Sequence, residues 1–130
     1  MAERLLLDTH AIIWWFCEPS KLSAVAYAAI ENGENTIYAS AISAMEIATK
    51  FRIGKLDIAQ SLAENFILEI EKGGFIALPL TVAQGQLGGN LAIPNKDPFD
   101  RLLIAQAQIE QVKLVSIEQQ FDAFGVIRLW

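Results

Sequence analysis

Apolar residues in this chain gather in two kinds of segment. Short runs of five or six residues, "RLLLD" (4–8), "TIYAS" (36–40), "FIALPL" (75–80), "KLVSI" (113–117) and "VIRLW" (126–130), lack strict apolar–polar alternation. They read as strands buried on both faces of a parallel sheet. Longer segments between them carry helical start and stop signals. "SAVAYAAIENG" closes at Gly33. "SAMEIATKFRIG" opens at Ser43, with Glu46 three residues on as a capping box, and closes at Gly54, while "SLAENFILEIEKGG" closes at Gly73. "DPFDRLLIAQAQIEQ" places Asp97 as an N-cap and Pro98 at the first helical position. In "TVAQGQLGGNLAIPNK" (81–96), glycines and Pro94 punctuate a short helix and a loop.

Strands that alternate with helices predict an α/β chain: a central, mostly parallel sheet with helices on both faces. The 130 residues suffice for one hydrophobic core and are too few for two ordinary domains. No repeat or linker interrupts the pattern, so residues 1–130 are expected to form one domain.

Composition narrows the class. With 53% hydrophobic and 19% charged residues the chain is globular rather than disordered. Its longest apolar run, "AIIWWFC", has seven residues, against the roughly 20 needed to span a bilayer. "MAER" leads straight into a strand with no apolar signal region, and the expectation is a cytoplasmic protein without a membrane span. The single Cys17, inside an apolar run, reads as a small buried hydrophobe. A net charge of −5 argues against a broad basic face that coats nucleic acid, but not against an enzyme that touches it locally.

The candidate chemistry lies in the acids. Ligands bind open parallel sheets beyond the carboxyl ends of the strands, where strand order reverses. Asp8 ends the first strand, Glu118 follows the fourth, and Glu46 and Asp100 stand one turn into helices. Four acids without His or Cys partners repel one another, and a hard cation such as Mg²⁺ or Mn²⁺ resolves the conflict. Phosphodiester hydrolysis is the natural reaction for such a site. Glu46 and Asp97 serve equally well as helix caps, whereas Asp8, after a buried strand and beside Thr9 and His10, reads as a site residue.

"LLLDTHAIIWW", "SAISAMEIATKFRIGKL", "KDPFDRLLIAQA" and "LVSIEQQFDAFGV", in that order, resemble PIN-domain proteins, in particular the VapC-like toxins of bacterial toxin-antitoxin pairs. The resemblance implies a three-layer α/β/α sandwich around a five-stranded, mostly parallel sheet. It also implies a Mg²⁺- or Mn²⁺-dependent endoribonuclease that cuts an RNA substrate, is held by a cognate antitoxin and forms a homodimer. On the family pattern Asp8, Glu46 and Asp100 take the metal-binding acid positions. Glu118 takes the fourth, as "SIE" where the family usually has "T-x-D". The longer side chain points to an action through water.

Thr9 and Ser116 are candidates to orient the acids through their hydroxyls, or else cap nearby backbone. Asp97 reads mainly as a cap with a supporting role in the site. Lys50 in "KFRIGK" and Arg101 after Asp100 are candidate RNA contacts; the alternatives are a solvated helix face or, for the arginine, pairing with a site carboxylate. His10, the only histidine, reads as a packed, hydrogen-bonded residue rather than a ligand. Trp14, Trp15 and Phe16 are consecutive on a helix, so at least one ring is expected to be exposed or covered by a dimer partner or antitoxin, with a purely core role as the alternative. Two rivals remain. A receiver-like module needs a phospho-acceptor Asp at the end of the third strand, where "FIALPL" has none; a PIN-like interaction module without turnover stays open.

Overall fold

Leu5, Leu6 and Leu7 are wholly buried because their strand, β1 (Arg4–Leu7), lies at the centre of the sheet. The computed structural model describes residues 2–130; Met1 lies outside the described residues. The other strands are β2 (Thr36–Ser40), β3 (Ile76–Leu78), β4 (Lys113–Val115) and β5 (Arg128–Leu129), in the order β3-β2-β1-β4-β5. Every pairing is parallel. The helices are α1 (Thr9–Cys17), α2 (Ala24–Glu31), α3 (Ala41–Arg52), α4 (Gln60–Glu64), α5 (Phe66–Lys72), α6 (Val82–Asn90) and α7 (Pro98–Glu110).

Side chains alternate across β1 and so feed two cores. Leu5 and Leu7 pack with Ile12, Ile13, Ile30, Ile47 and Ile70 on one face; Leu6 packs with Leu103, Ile104, Ala107 and Phe121 on the other. The result is a three-layer α/β/α sandwich. Among the described residues no helix is long and apolar enough to cross a membrane.

The edges depart from the picture of strands buried on both faces. β3 pairs only with β2, and Ile76 is half exposed. α3 begins earlier than expected: β2 runs directly into it and Ser40 caps it, its Oγ accepting from the Ile42 N–H at 3.0 Å. Ser43 therefore lies inside the helix and makes no capping box with Glu46. The segment expected as one helix over 61–74 is two, because Asn65 leaves helical geometry (φ −137°, ψ 48°) between α4 and α5. Asn favours such breaks because its side chain competes for backbone hydrogen bonds.

The aromatic run takes the core role, one of the two readings its sequence leaves open. Trp14 contacts Trp130, Trp15 contacts Tyr27 and Phe75, and Phe16 meets Phe75 edge-on. All three rings are half-buried against the chain's own core, so none requires a partner to cover it.

Candidate active site

Strand order reverses between β1 and β4: the chain builds outward from β1 through β2 and β3, then crosses to the other side. The adjoining carboxyl ends of β1 and β4 open the crevice in which α/β sheets bind ligands. The Asp8 N–H donates to the Val115 carbonyl at 3.0 Å, so the first acid sits directly on that switch point. Ser116 and Glu118 follow β4 on the other side.

A cleft of about 150 Å³ opens there, lined by Asp8, Thr9, Glu46, Lys50, Asp100 and Glu118, with His10, Asp97, Leu103 and Gln120 completing its wall. The four acids expected to meet do share it. A larger cleft of about 470 Å³ lies where β1 and β4 begin, beside Arg4 and Lys113; it lacks such an acid cluster.

Asp8 has two roles. It is the N-cap of α1, its Oδ1 accepting from the Ala11 N–H at 2.8 Å, and it is buried at 4% exposure. Burial lifts its pKa from 3.8 to about 6; the Ser116 hydroxyl, the Ala11 N–H and His10 oppose the rise, and Glu118 adds to it. Burial also raises Asp100, against a hydrogen bond from Asn95, with Asp97, Glu46 and Glu118 pushing the same way as burial. The Asp100 Oδ2 accepts from Asn95 at 3.2 Å and from Gln120 at 3.4 Å. Glu46 turns its Oε2 to the Lys50 ammonium, 2.6 Å away.

The two hydroxyls differ from each other. Thr9 Oγ1 pairs with Ser43 Oγ at 3.0 Å, both buried, so Thr9 ties α1 to α3 rather than touching an acid. Ser116 does both: its hydroxyl bonds the Asp8 carboxylate and holds its pKa down, and its Oγ accepts from the Glu118 N–H at 3.0 Å, which fixes where Glu118 leaves the strand. Asp97 caps α7, accepting from the N–H groups of Phe99 and Asp100 at 2.8 and 3.3 Å. Asp97→Ala should lower stability by about 1 kcal/mol in urea unfolding, with most of it restored by Asp97→Asn; an equal loss in both variants would refute the capping role. His10 is exposed at the cleft's rim with its ring against Trp14 rather than packed inside.

Arg101 requires a correction. Its guanidinium donates to the carbonyls of Gly88, Gly89, Leu91, Ile93 and Asn95 at 2.6 to 3.2 Å. All five guanidinium donors are committed to the last turn of α6 and the loop after it, which leaves none for an RNA phosphate. Asn95, Gln120 and Ser43 belong to the site's framework although no sequence pattern marked them.

The donor set is all oxygen, half-buried and mutually repelling, which suits a hard dication. Among the described residues, however, no three His, Cys, Asp or Glu side chains stand close enough to hold a metal as they are. Glu46 faces Lys50, and Asp100 faces two amides. Mg²⁺ keeps several waters and needs only one or two carboxylates, so the residues fit such an ion without forming a closed cage.

Compared with known proteins, residues 5–126 match the family model of the PIN domain. The chain is 29% identical over 116 residues to Ribonuclease VapC22 of Mycobacterium tuberculosis, a stretch covering 89% of this chain and 88% of that one. Among solved structures it is similar to VapBC2 from Rickettsia felis bound to a promoter DNA fragment (16% identity, TM-score 0.65, 96% of each chain). It is also similar to FitAcB from Neisseria gonorrhoeae (20% identity, TM-score 0.62, 95% of each chain). At these identities the structures speak for the fold alone.

Proposed function

The chain belongs to the PIN domain family, and on that premise we propose that residues 1–130 form one such domain, a Mg²⁺- or Mn²⁺-dependent endoribonuclease acting as the toxin of a toxin-antitoxin pair. The observation that supports this most strongly is the gathering of Asp8, Glu46, Asp100 and Glu118 in one cleft at the switch point of the sheet. The relative named a ribonuclease supports the same reading.

Asp8, Glu46 and Asp100 would hold the ion. When bound, it supplies Lewis acidity at a phosphoryl oxygen and makes a water more acidic. The chain's own residues do the positioning. Asp8 is clamped between the sheet and the first turn of α1, so its carboxylate cannot swing away. Asn95 and Gln120 hold the Asp100 carboxylate toward the cleft. Glu118, anchored through Ser116, acts on the site through water. In the hydrolysis water adds its oxygen to phosphorus, the bond to the leaving ribose oxygen breaks, and that oxygen takes up a proton.

Two protein partners accompany this reading, a cognate antitoxin and a second copy of the chain. An apolar groove of about 740 Å³ between α3 and α4–α5, edged by half-exposed Met45, Ile67 and Leu68, offers surface for such partners.

One observation favours the rival reading, an interaction module without turnover: no three acids stand ready for a metal among the described residues. Kinetics on pure, antitoxin-free protein separate the two. Single-stranded RNA should be cut in Mn²⁺ by the wild type, and Asp100→Asn should cut it at least about 100-fold more slowly, as expected on losing a carboxylate that would hold the ion. Equal rates for the two proteins would rule out the acid cleft as the centre.

A further inference from the structure

Resting on the metal-dependent reading above, we infer that Lys50 is a built-in counter-ion for Glu46, competing with the divalent cation for that carboxylate and releasing it when the cation enters. Lys50 lies one turn beyond Glu46 on α3, the spacing at which helical side chains meet. The two ends of the pair differ. The Glu46 side chain is 9% exposed and the Lys50 side chain 38%. The ammonium reaches the cleft from solvent on a flexible stem, and it can withdraw without moving the helix.

Glu46 is singled out among the acids of the cleft. Asp8 accepts from the Ala11 N–H, Asp97 from two backbone N–H groups, and Asp100 from two side-chain amides, all of them neutral donors. Among the described residues, only Glu46 of these acids forms a salt bridge. Lys50 is thus an exchangeable cation in the cleft's own wall, and it faces an acid the metal needs. The turn of Glu46 toward Lys50 is, with the two amides on Asp100, one of the contacts that keep the acids from converging among the described residues. A dication attracts a carboxylate more strongly than a single ammonium does, so exchange favours the metal once it arrives. The freed ammonium is left at the mouth of the cleft, where a phosphate would approach.

The test is a calorimetric Mn²⁺ titration of the RNA-free full chain, wild type against Lys50→Gln, Lys50→Arg and Lys55→Gln. Lys55 is exposed beyond the end of α3, and its substitution makes the same change in formal charge without touching the pair. Lys50→Gln should bind Mn²⁺ about fivefold more tightly, as expected on removing a half-exposed ion pair. Lys50→Arg and Lys55→Gln should stay within about twofold of the wild type. Wild-type binding with no gain in Lys50→Gln overturns the inference alone, and so does an equal gain in Lys55→Gln, which marks a general charge effect. Absence of Mn²⁺ binding in all four proteins overturns the metal-dependent reading as well.

Discussion

Asp8→Asn should lose metal-dependent RNA cleavage by about 10²- to 10³-fold or more, and yet be more stable than the wild type above pH 6. The two halves have one cause. Folding carries this carboxyl into a buried position beside other acids, where it ionises at about 6 instead of 3.8. Between those values the folded chain keeps a proton that the unfolded chain has released. The contribution of Asp8 to stability is therefore fully present below pH 3.8, declines as pH rises through 6, and above that becomes a cost. A shift of about two units corresponds to a cost on the order of 3 kcal/mol at pH 7 to 8. Asn keeps a side-chain oxygen for the Ala11 N–H and carries no charge, so it retains the cap and removes the cost. Urea unfolding in EDTA should show the variant ahead at pH 8 and level with the wild type near pH 4. A variant that is inactive and also less stable at pH 8 would mean that Asp8 serves the fold rather than the site.

Arg101→Ala should be the most destabilising single change near the site, by about 3 kcal/mol, which for a domain of this size lowers Tm by roughly 10 °C. One guanidinium gathers five carbonyls from residues 88–95. Without it that loop loses its anchor and those carbonyls their donor. Arg101→Lys should recover only a minor part, since an ammonium on a flexible stem cannot bridge five acceptors spread around a planar fork. Activity should fall with stability, because the same loop carries the Asn95 that holds Asp100. If RNA affinity dropped while Tm stayed within a degree or two, Arg101 would be a phosphate contact after all.

What the sequence revealed followed what it encodes locally. Three leucines ending in an acid mark a buried strand that opens at its carboxyl end, and β1 with Asp8 lies there. "DPFD" carries an N-cap and a proline in the first turn, and α7 starts at Pro98 as expected. The misreadings arise where distant segments meet. Ser40 and Ser43 both resemble caps, and the choice depends on how far β2 runs before the helix begins. The partners of Arg101 are backbone carbonyls, which no side-chain pattern can announce. The cover of the tryptophan-bearing helix stays open in the sequence because its covering rings, Tyr27, Phe75 and Trp130, come from three remote places in the chain. Glu118 and Ser116 depart from the family pattern, and their hydrogen bond shows how the departure is accommodated: the serine caps the backbone of the glutamate.

On the proposed reading, this acid cleft hydrolyses RNA with a divalent metal. The most direct measurement is cleavage of single-stranded RNA by the purified, antitoxin-free wild type, first in EDTA and then with Mn²⁺ restored. Cleavage that is absent in EDTA, returns with Mn²⁺ and is lost in Asp8→Asn is the predicted result; cleavage that persists in EDTA, or none in Mn²⁺, would contradict it.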